Sequence, residues 1–147
     1  MEIVSLNNSK IDSHAALLVE VFSQEPWSEK WELESAHNRL MCYKKAPYFL
    51  GLSAIEEGEL IGFMFGNFEP YQKTSHFIIK EMCVKTDKQR TGVGKRLISE
   101  LHNHLKLNNA TSSYLLTRKG SPAELFYLNS GYSLSESMGL YFNETKT

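Results

Sequence analysis

From Val84 the chain passes through Thr86-Asp87-Lys88-Gln89-Arg90-Thr91-Gly92-Val93-Gly94-Lys95 into a segment where Val93, Leu97, Ile98, Leu101 and Leu105 recur at helical spacing. A β-rich segment therefore feeds a glycine loop, and the loop opens a helix. The first turn of any helix carries N–H groups without an internal partner, and the aligned peptide dipoles add partial positive charge there. Gly92 and Gly94 remove side chains that would block an approaching ligand, and Arg90, Lys95 and Arg96 bring cationic charge. Such a combination suits a phosphate group. A second feature lies just upstream. Glu81 interrupts the otherwise apolar run from Phe77 to Val84, where a buried charge is costly unless it is paired or used. Two readings stay open for it: an ion pair with a lysine such as Lys80 or Lys73, or a general base.

Two well-known phosphate loops do not fit. A P-loop ending at Gly94-Lys95 requires Gly at position 89 and Ser or Thr at 96, where the chain has Gln89 and Arg96. The dinucleotide fingerprint starting at Gly92 requires a third Gly where Leu97 stands. The pattern that does fit is Gln/Arg-x-x-Gly-x-Gly, filled by Gln89, Gly92 and Gly94.

The elements that must position these groups follow from periodicity. A short strand is expected over 1–6 and an amphipathic helix over 10–22, from Ile11, Ala15, Leu18, Val19 and Phe22. Ser28 is expected to cap a second helix over 29–44, with Leu33, Ala36, Leu40 and Met41 inward. Strands are expected over 48–56 and 59–68, joined by the Glu57-Gly58 turn, and then over 75–85. After the glycine-loop helix come a strand over 112–117, a helix from Pro122 to about Asn129 stopped by Gly131, and a closing pair of strands over 132–137 and 139–143. The order β-α-α-β-β-β-α-β-α-β-β describes an α/β fold: one mixed, mostly antiparallel sheet flanked by helices.

Composition narrows the function classes. At 147 residues, 1–147 reads as a single domain, with 41% apolar and 22% charged residues. Sixteen Lys+Arg against seventeen Asp+Glu give a net charge of −1, which argues against a nucleic-acid partner bound through bulk charge. No apolar run is long enough for a membrane helix, and the first ten residues lack the pattern of a signal peptide. Cys42 and Cys83 form no CxxC, and His102 and His104 lie on different faces of a helix. Reduced thiols, no metal and a cytoplasmic location are the expectation.

A second motif follows the loop. Ala123-Glu124-Leu125-Phe126-Tyr127-Leu128-Asn129-Ser130-Gly131-Tyr132 fits Ala-x-x-Phe/Leu-Tyr-x-x-x-Gly-Phe/Tyr at every keyed position. With Gln89-x-x-Gly92-x-Gly94 about 30 residues before it, the chain resembles the GNAT N-acetyltransferase superfamily, best over 48–137. The resemblance implies that acetyl-CoA is the cosubstrate, without a metal, and that the loop Gln89, Arg90, Thr91, Gly92, Val93, Gly94 and Lys95 holds its pyrophosphate. It implies that a backbone N–H in the stretch Met82, Cys83, Val84 points at the thioester oxygen, a preorganised donor of the kind that can dominate catalysis. Tyr127 falls where the family's general acid sits, and a phenol with a reference pKa near 10 stays protonated at neutral pH. The alternative for Tyr127 is a helix residue packed on the sheet. Phe126 and Ser121 complete the implied cofactor contacts. Family members often carry Asn seven residues before the tyrosine. This chain has Gly120 there, which leaves Ser121 or Lys119 to substitute.

The family's acceptor pocket maps here onto Glu25, Trp27 and Trp31, and onto Phe68, Glu69 and Tyr71. Aromatics with carboxylates suit a cationic amine; plain packing is the competing account of the two tryptophans. The pattern Glu25-Pro26-Trp27 followed by Trp31 resembles some bacterial members. The implied activity is direct acetyl transfer from acetyl-CoA to a primary amine of polyamine, amino-sugar or amino-acid type, through a ternary complex rather than an acetyl-Cys83 intermediate. A non-catalytic acyl-CoA-binding module and a protein or peptide acetyltransferase stay open. A homodimer is the assembly the resemblance implies.

Overall fold

The computed structural model describes residues 1–7 and 9–145. In chain order the elements are β1 (Glu2–Ser5), α1 (Asp12–Phe22), α2 (Leu33–Lys44), β2 (Phe49–Glu56), β3 (Glu59–Tyr71), β4 (Thr74–Val84), α3 (Val93–Leu107), β5 (Ala110–Leu115) and α4 (Pro122–Asn129). The five strands form one sheet in the order β1-β2-β3-β4-β5. The first three pairings are antiparallel and β4–β5 is parallel, so the sheet is mixed and mostly antiparallel, as expected.

The chain divides into two compact units. The first, Met1–Leu116, holds the sheet with α1, α2 and α3. On one face of the sheet Phe63, Phe65 and Cys83 pack with Ile11, Ala15, Leu17 and Leu18 around α1, and with Ala36 and Leu40 of α2. Side chains alternate along a strand, so Gly62 and Met64 face the other way. There a Cβ on Gly62 would lie 3.1 Å from Val93 Cγ1, so the start of α3 rests directly on β3. The α3 stripe of Val93, Leu97, Ile98, Leu101 and Leu105 is buried. Removing a leucine side chain of this kind from water contributes about 1.5–3 kcal/mol, and the two apolar layers hold the sheet between them.

Two expectations are corrected. Ser28 does not cap α2. It sits at φ 48° in a turn, with its N–H bonded to the Gln24 carbonyl at 2.9 Å. The helix starts at Leu33, where Ser35 Oγ accepts from the Glu32 N–H at 3.2 Å and donates to the Glu32 carbonyl at 2.9 Å. This reciprocal cap outcompetes Ser28 and leaves Trp31 outside the helix.

The second correction concerns the unit that starts at Thr117. It contains α4, which Pro122 opens and Gly131, at φ +94°, closes. The strands expected over 132–137 and 139–143 are not formed, and Leu134, Met138, Leu140, Tyr141 and Phe142 are exposed. Alternating apolar residues make a segment suitable for a strand. A ladder also needs a neighbour, and among the described residues none pairs with it.

Candidate functional site

β4 and β5 part company midway. Their parallel ladder begins at Ser75↔Ala110 and ends at Ile79↔Leu115, while β4 continues to Val84 with β3 alone beside it. The Lys85 N–H bonds the Ile61 carbonyl at 2.8 Å, on the β3 side. Backbone groups alternate sides along an antiparallel strand, so Cys83 also faces β3, whereas Met82 and Val84 turn theirs to the edge that β5 has left. On that edge Gln89 Nε2 donates to the Val84 carbonyl at 3.0 Å. By this alternation the Met82 and Val84 amides turn to the edge beyond the end of β5. The Cys83 amide lies on the ladder side.

A 3-10 turn over Thr86–Lys88 leads from β4 into the glycine loop. Arg90 and Gly92 both take positive φ, 63° and 97°, and Gly92 is the residue preceding α3. The first bond of α3 runs from the Arg96 N–H to the Gly92 carbonyl at 3.0 Å. Among the described residues the backbone N–H groups from Arg90 to Lys95 have no hydrogen-bond acceptor, which leaves six consecutive donors around one turn. Thr91 Oγ is turned back onto the Lys88 carbonyl.

The charges around the loop sort into two groups. Lys88 pairs with Glu56 at 2.7 Å and Lys85 with Glu59 at 2.5 Å, both on the hairpin between β2 and β3. Arg90, Lys95 and Arg96 are exposed, with no ion-pair partner among the described residues. Six open amides and three open cations concentrate positive potential on a chain of net charge −1.

Glu81 lies on the opposite side of β4 from α3. It pairs with Phe65 in register, and Lys80 is an extra residue that bulges out before Gly66↔Ile79. The carboxylate meets neither Lys80 nor Lys73. Arg39 of α2 donates from Nε to Glu81 Oε1 at 2.9 Å, with the Glu81 side chain 13% exposed. The Arg39 guanidinium lies 5.4 Å from the Trp31 ring and 5.5 Å from the Tyr43 ring. Trp31 Nε1 donates to Glu29 Oε1 at 3.3 Å. Burial raises the Glu81 carboxyl above the usual range, and Arg39 pulls it part of the way back. Burial also works against the Arg39 charge, but the Glu81 carboxylate outweighs it and the net shift is upward.

Sequence reasoning did not find Arg39, Tyr43 or Glu29. The available signal was helical spacing: Arg39 and Tyr43 are four apart on α2, beside the Ala36–Leu40 stripe.

The other expected acceptor residues make contacts of their own. Trp27 packs edge-on against Phe22 at 5.4 Å, and Glu25 is exposed in the α1–α2 connection. Phe68 stacks with Phe77 at 4.9 Å on the α3 face of the sheet, the opposite face from Glu81. Tyr71 stacks with His76 at 4.7 Å, six β3 positions beyond Phe65, or roughly 20 Å along the strand. Glu69 accepts from the Tyr114 hydroxyl at 3.0 Å.

Cys83 is buried, its thiol held well above the ordinary range by burial, with Sγ 3.8 Å from the Leu17 carbonyl.

In the second unit Tyr127 is buried, with the Phe126 ring at 5.2 Å and the Tyr132 ring at 5.7 Å. Phe126 itself is half-buried. Ser121 caps α4: its Oγ donates to the Arg118 carbonyl at 2.7 Å and accepts from the Glu124 N–H at 3.1 Å.

Known proteins sharing these features point one way. The model of the acetyltransferase (GNAT) domain matches residues 48–134, a span that takes in both the glycine loop and α4. No curated protein matches the chain in sequence. Among solved structures, a possible acetyltransferase from Clostridium difficile 630 superposes with a TM-score of 0.81 at 12% identity, covering 99% of this chain and 98% of that one. Ribosomal-protein-alanine N-acetyltransferase from Brucella melitensis biovar Abortus 2308 gives 0.74 at 17% identity, covering 98% of each chain. AAC(6')-Iy, in complex with the bisubstrate analog CoA-S-monomethyl-acetylneamine, gives 0.73 at 14% identity, again over 98% of each. These identities speak for the fold alone. The domain match spans more than half of the 147 residues, and the chain belongs to the GNAT acetyltransferase family.

Proposed function

We propose that the chain is an N-acetyltransferase that moves the acetyl group of acetyl-CoA directly onto a primary amine of a small molecule. The observation that carries this reading is the row of six open amides from Arg90 to Lys95, next to the backbone edge that β5 leaves free. A diphosphate needs several convergent N–H donors and nearby cations, and the loop offers both, with no competing acceptor among the described residues. When bound, acetyl-CoA supplies an activated acyl group.

The chain's own residues do the rest. The Met82 and Val84 N–H groups lie on the open edge, where they can stabilise negative charge growing on a carbonyl oxygen. Tyr127 is the proposed proton donor to the departing sulfur. Glu81 is the proposed acceptor, directly or through water, of the proton that the amine must lose. Burial of Glu81 raises its basicity while the bond to Arg39 holds it in place. The buried, neutral Cys83 thiol is a poor nucleophile, which favours transfer in one step. The span of the family match, across both compact units, supports one functional domain. We place the protein in the cytoplasm, on its two free cysteines.

The test is a panel of amines assayed for coenzyme A release, with mass analysis of any product. Turnover on at least one amine, reduced about 10²-fold or more in Tyr127→Phe, is the expected result. Failure of saturating acetyl-CoA to raise the melting temperature would overturn the reading.

A further inference from the structure

Arg39 and Glu81 present two unused polar groups side by side. Arg39 spends Nε on Glu81 Oε1, and among the described residues neither Nη nitrogen has a carboxylate or hydrogen-bond partner. Glu81 spends Oε1, and Oε2 has no partner among the described residues. The Glu81 side chain keeps 13% of its surface exposed. The Arg39 side chain is 42% exposed, and its guanidinium carbon lies 5.4 Å from the centre of the Trp31 ring and 5.5 Å from that of Tyr43. A guanidinium held this way offers its outer N–H groups as a fork, the geometry that suits a carboxylate.

We infer that the Arg39–Glu81 pair, framed by Trp31 and Tyr43, is the acceptor-recognition element, and that it selects an amine carrying a carboxylate a few bonds from its nitrogen, as an amino acid does. The inference deepens the acetyltransferase reading and rests on it. A lone acidic group would favour any cation. Here a positive fork and a free carboxylate oxygen belong to one ion pair, a charge pattern complementary to a zwitterion. The same strand places Glu81 next to Met82, whose backbone faces the open edge of β4. An ammonium group at Oε2 therefore lies beside the stretch proposed to hold the acyl group, and Arg39 takes the carboxylate on the α2 side. Polyamines have nothing for the Arg39 fork and are repelled by its charge.

The test uses the full chain and matched acceptors: each common L-amino acid and its primary amide, with putrescine and glucosamine as amines lacking a carboxylate. Coenzyme A release gives kcat and KM, and calorimetry on the coenzyme A-saturated protein gives binding. At least one amino acid is expected to exceed its amide about 10-fold or more in kcat/KM or in affinity. Arg39→Lys keeps a cation beside Glu81 and so protects the fold, but loses the planar fork. It should reduce the acid-to-amide ratio about 10-fold, mostly through KM, with the acetyl-CoA-induced melting shift retained. Equal use of acids and amides, preference for putrescine or glucosamine, no binding of any carboxylate-bearing amine, or an unchanged ratio in Arg39→Lys would each overturn the inference. If acetyl-CoA itself fails to bind, the acetyltransferase reading falls instead, and the amino-acid calorimetry judges the zwitterion site on its own.

Discussion

Ile79 and Glu81 stand two residues apart on β4 and face opposite sides of the sheet. Lys80 between them has no partner on β3, so the alternation of side chains slips by one. Ile79 and Phe77 consequently lie on the α3 side, and Glu81 is delivered to α2 and Arg39. The slip sits where β5 ends its pairing with β4.

Because burial sets the Glu81 carboxyl above the ordinary carboxylate range, the pH profile of kcat/KM should rise through a pKa above 4.5. In Glu81→Gln this acidic limb should vanish, and the plateau should fall about 10²-fold without reaching zero, since the glycine loop and the edge amides of β4 are untouched. An unaltered limb in the variant would assign the titration to another group. Thermal melts of the variant report separately on the lost ion pair.

Gly92 has room for a side chain but not the backbone angle: a Cβ would meet nothing within 4 Å, and φ is +97°. Gly92→Ala should therefore cost about 1 kcal/mol of stability through strain alone. Gly92→Glu adds a negative charge amid the open amides and should abolish the melting shift produced by acetyl-CoA. Lys95→Glu should raise the KM for acetyl-CoA well above the effect of Lys88→Gln, because Lys88 is already engaged with Glu56. Equal effects of the two lysine changes would argue against the loop as the anion site.

The two thiols should differ sharply in reactivity. Cys42 is exposed and Cys83 is buried with its thiol held neutral. Iodoacetamide at neutral pH should label one cysteine in the native protein and two after denaturation, as read by intact mass. Rapid native labelling of Cys83 would show that α1 opens away from the sheet.

His14 provides a stability switch unrelated to catalysis. It is buried against Phe63 and Phe65, with Nε2 2.8 Å from Ser53 Oγ and Nδ1 without a partner among the described residues. Burial, with a smaller contribution from Lys44, lowers its pKa from 6.5 to about 4. Its folded pKa lies below its unfolded one, so the unfolded chain binds the proton first. Stability is full above pH 6.5 and declines as pH falls towards 4, by at most roughly 3 kcal/mol. Denaturant titrations at pH 7.5 and 4.5 should show this loss. The double variant His14→Leu/Ser53→Ala, which leaves no orphaned polar group, should lose less stability over the same interval.

Much of this protein was readable from residue spacing. Helical periodicity located α1 and α3, Pro122 and Gly131 bracketed α4, and β-branched and aromatic runs with the Glu57-Gly58 turn located β2, β3 and β4. These are local signals, fixed by which side chains share a face within a few residues. The glycine loop was legible for the same reason, since an open helix start depends on the residues that form it. The cap of α2 was misplaced because Ser28 and the Glu32–Ser35 pair are both competent caps by residue type, and residue type alone does not rank them. The closing strands were misread because a ladder requires a second strand, about which a single segment carries no information.

Sequence by itself determined the order of elements as far as α4, the glycine loop that opens α3 and the family motifs, each encoded within a short window of chain. Tertiary structure alone decided the partner of Glu81, 42 residues away on α2, and the face on which that carboxylate lies. A bulge is set by pairing between strands, and an ion pair by the packing of a helix on a sheet. Both balance energies across distant residues, so neither leaves a periodic trace in the sequence.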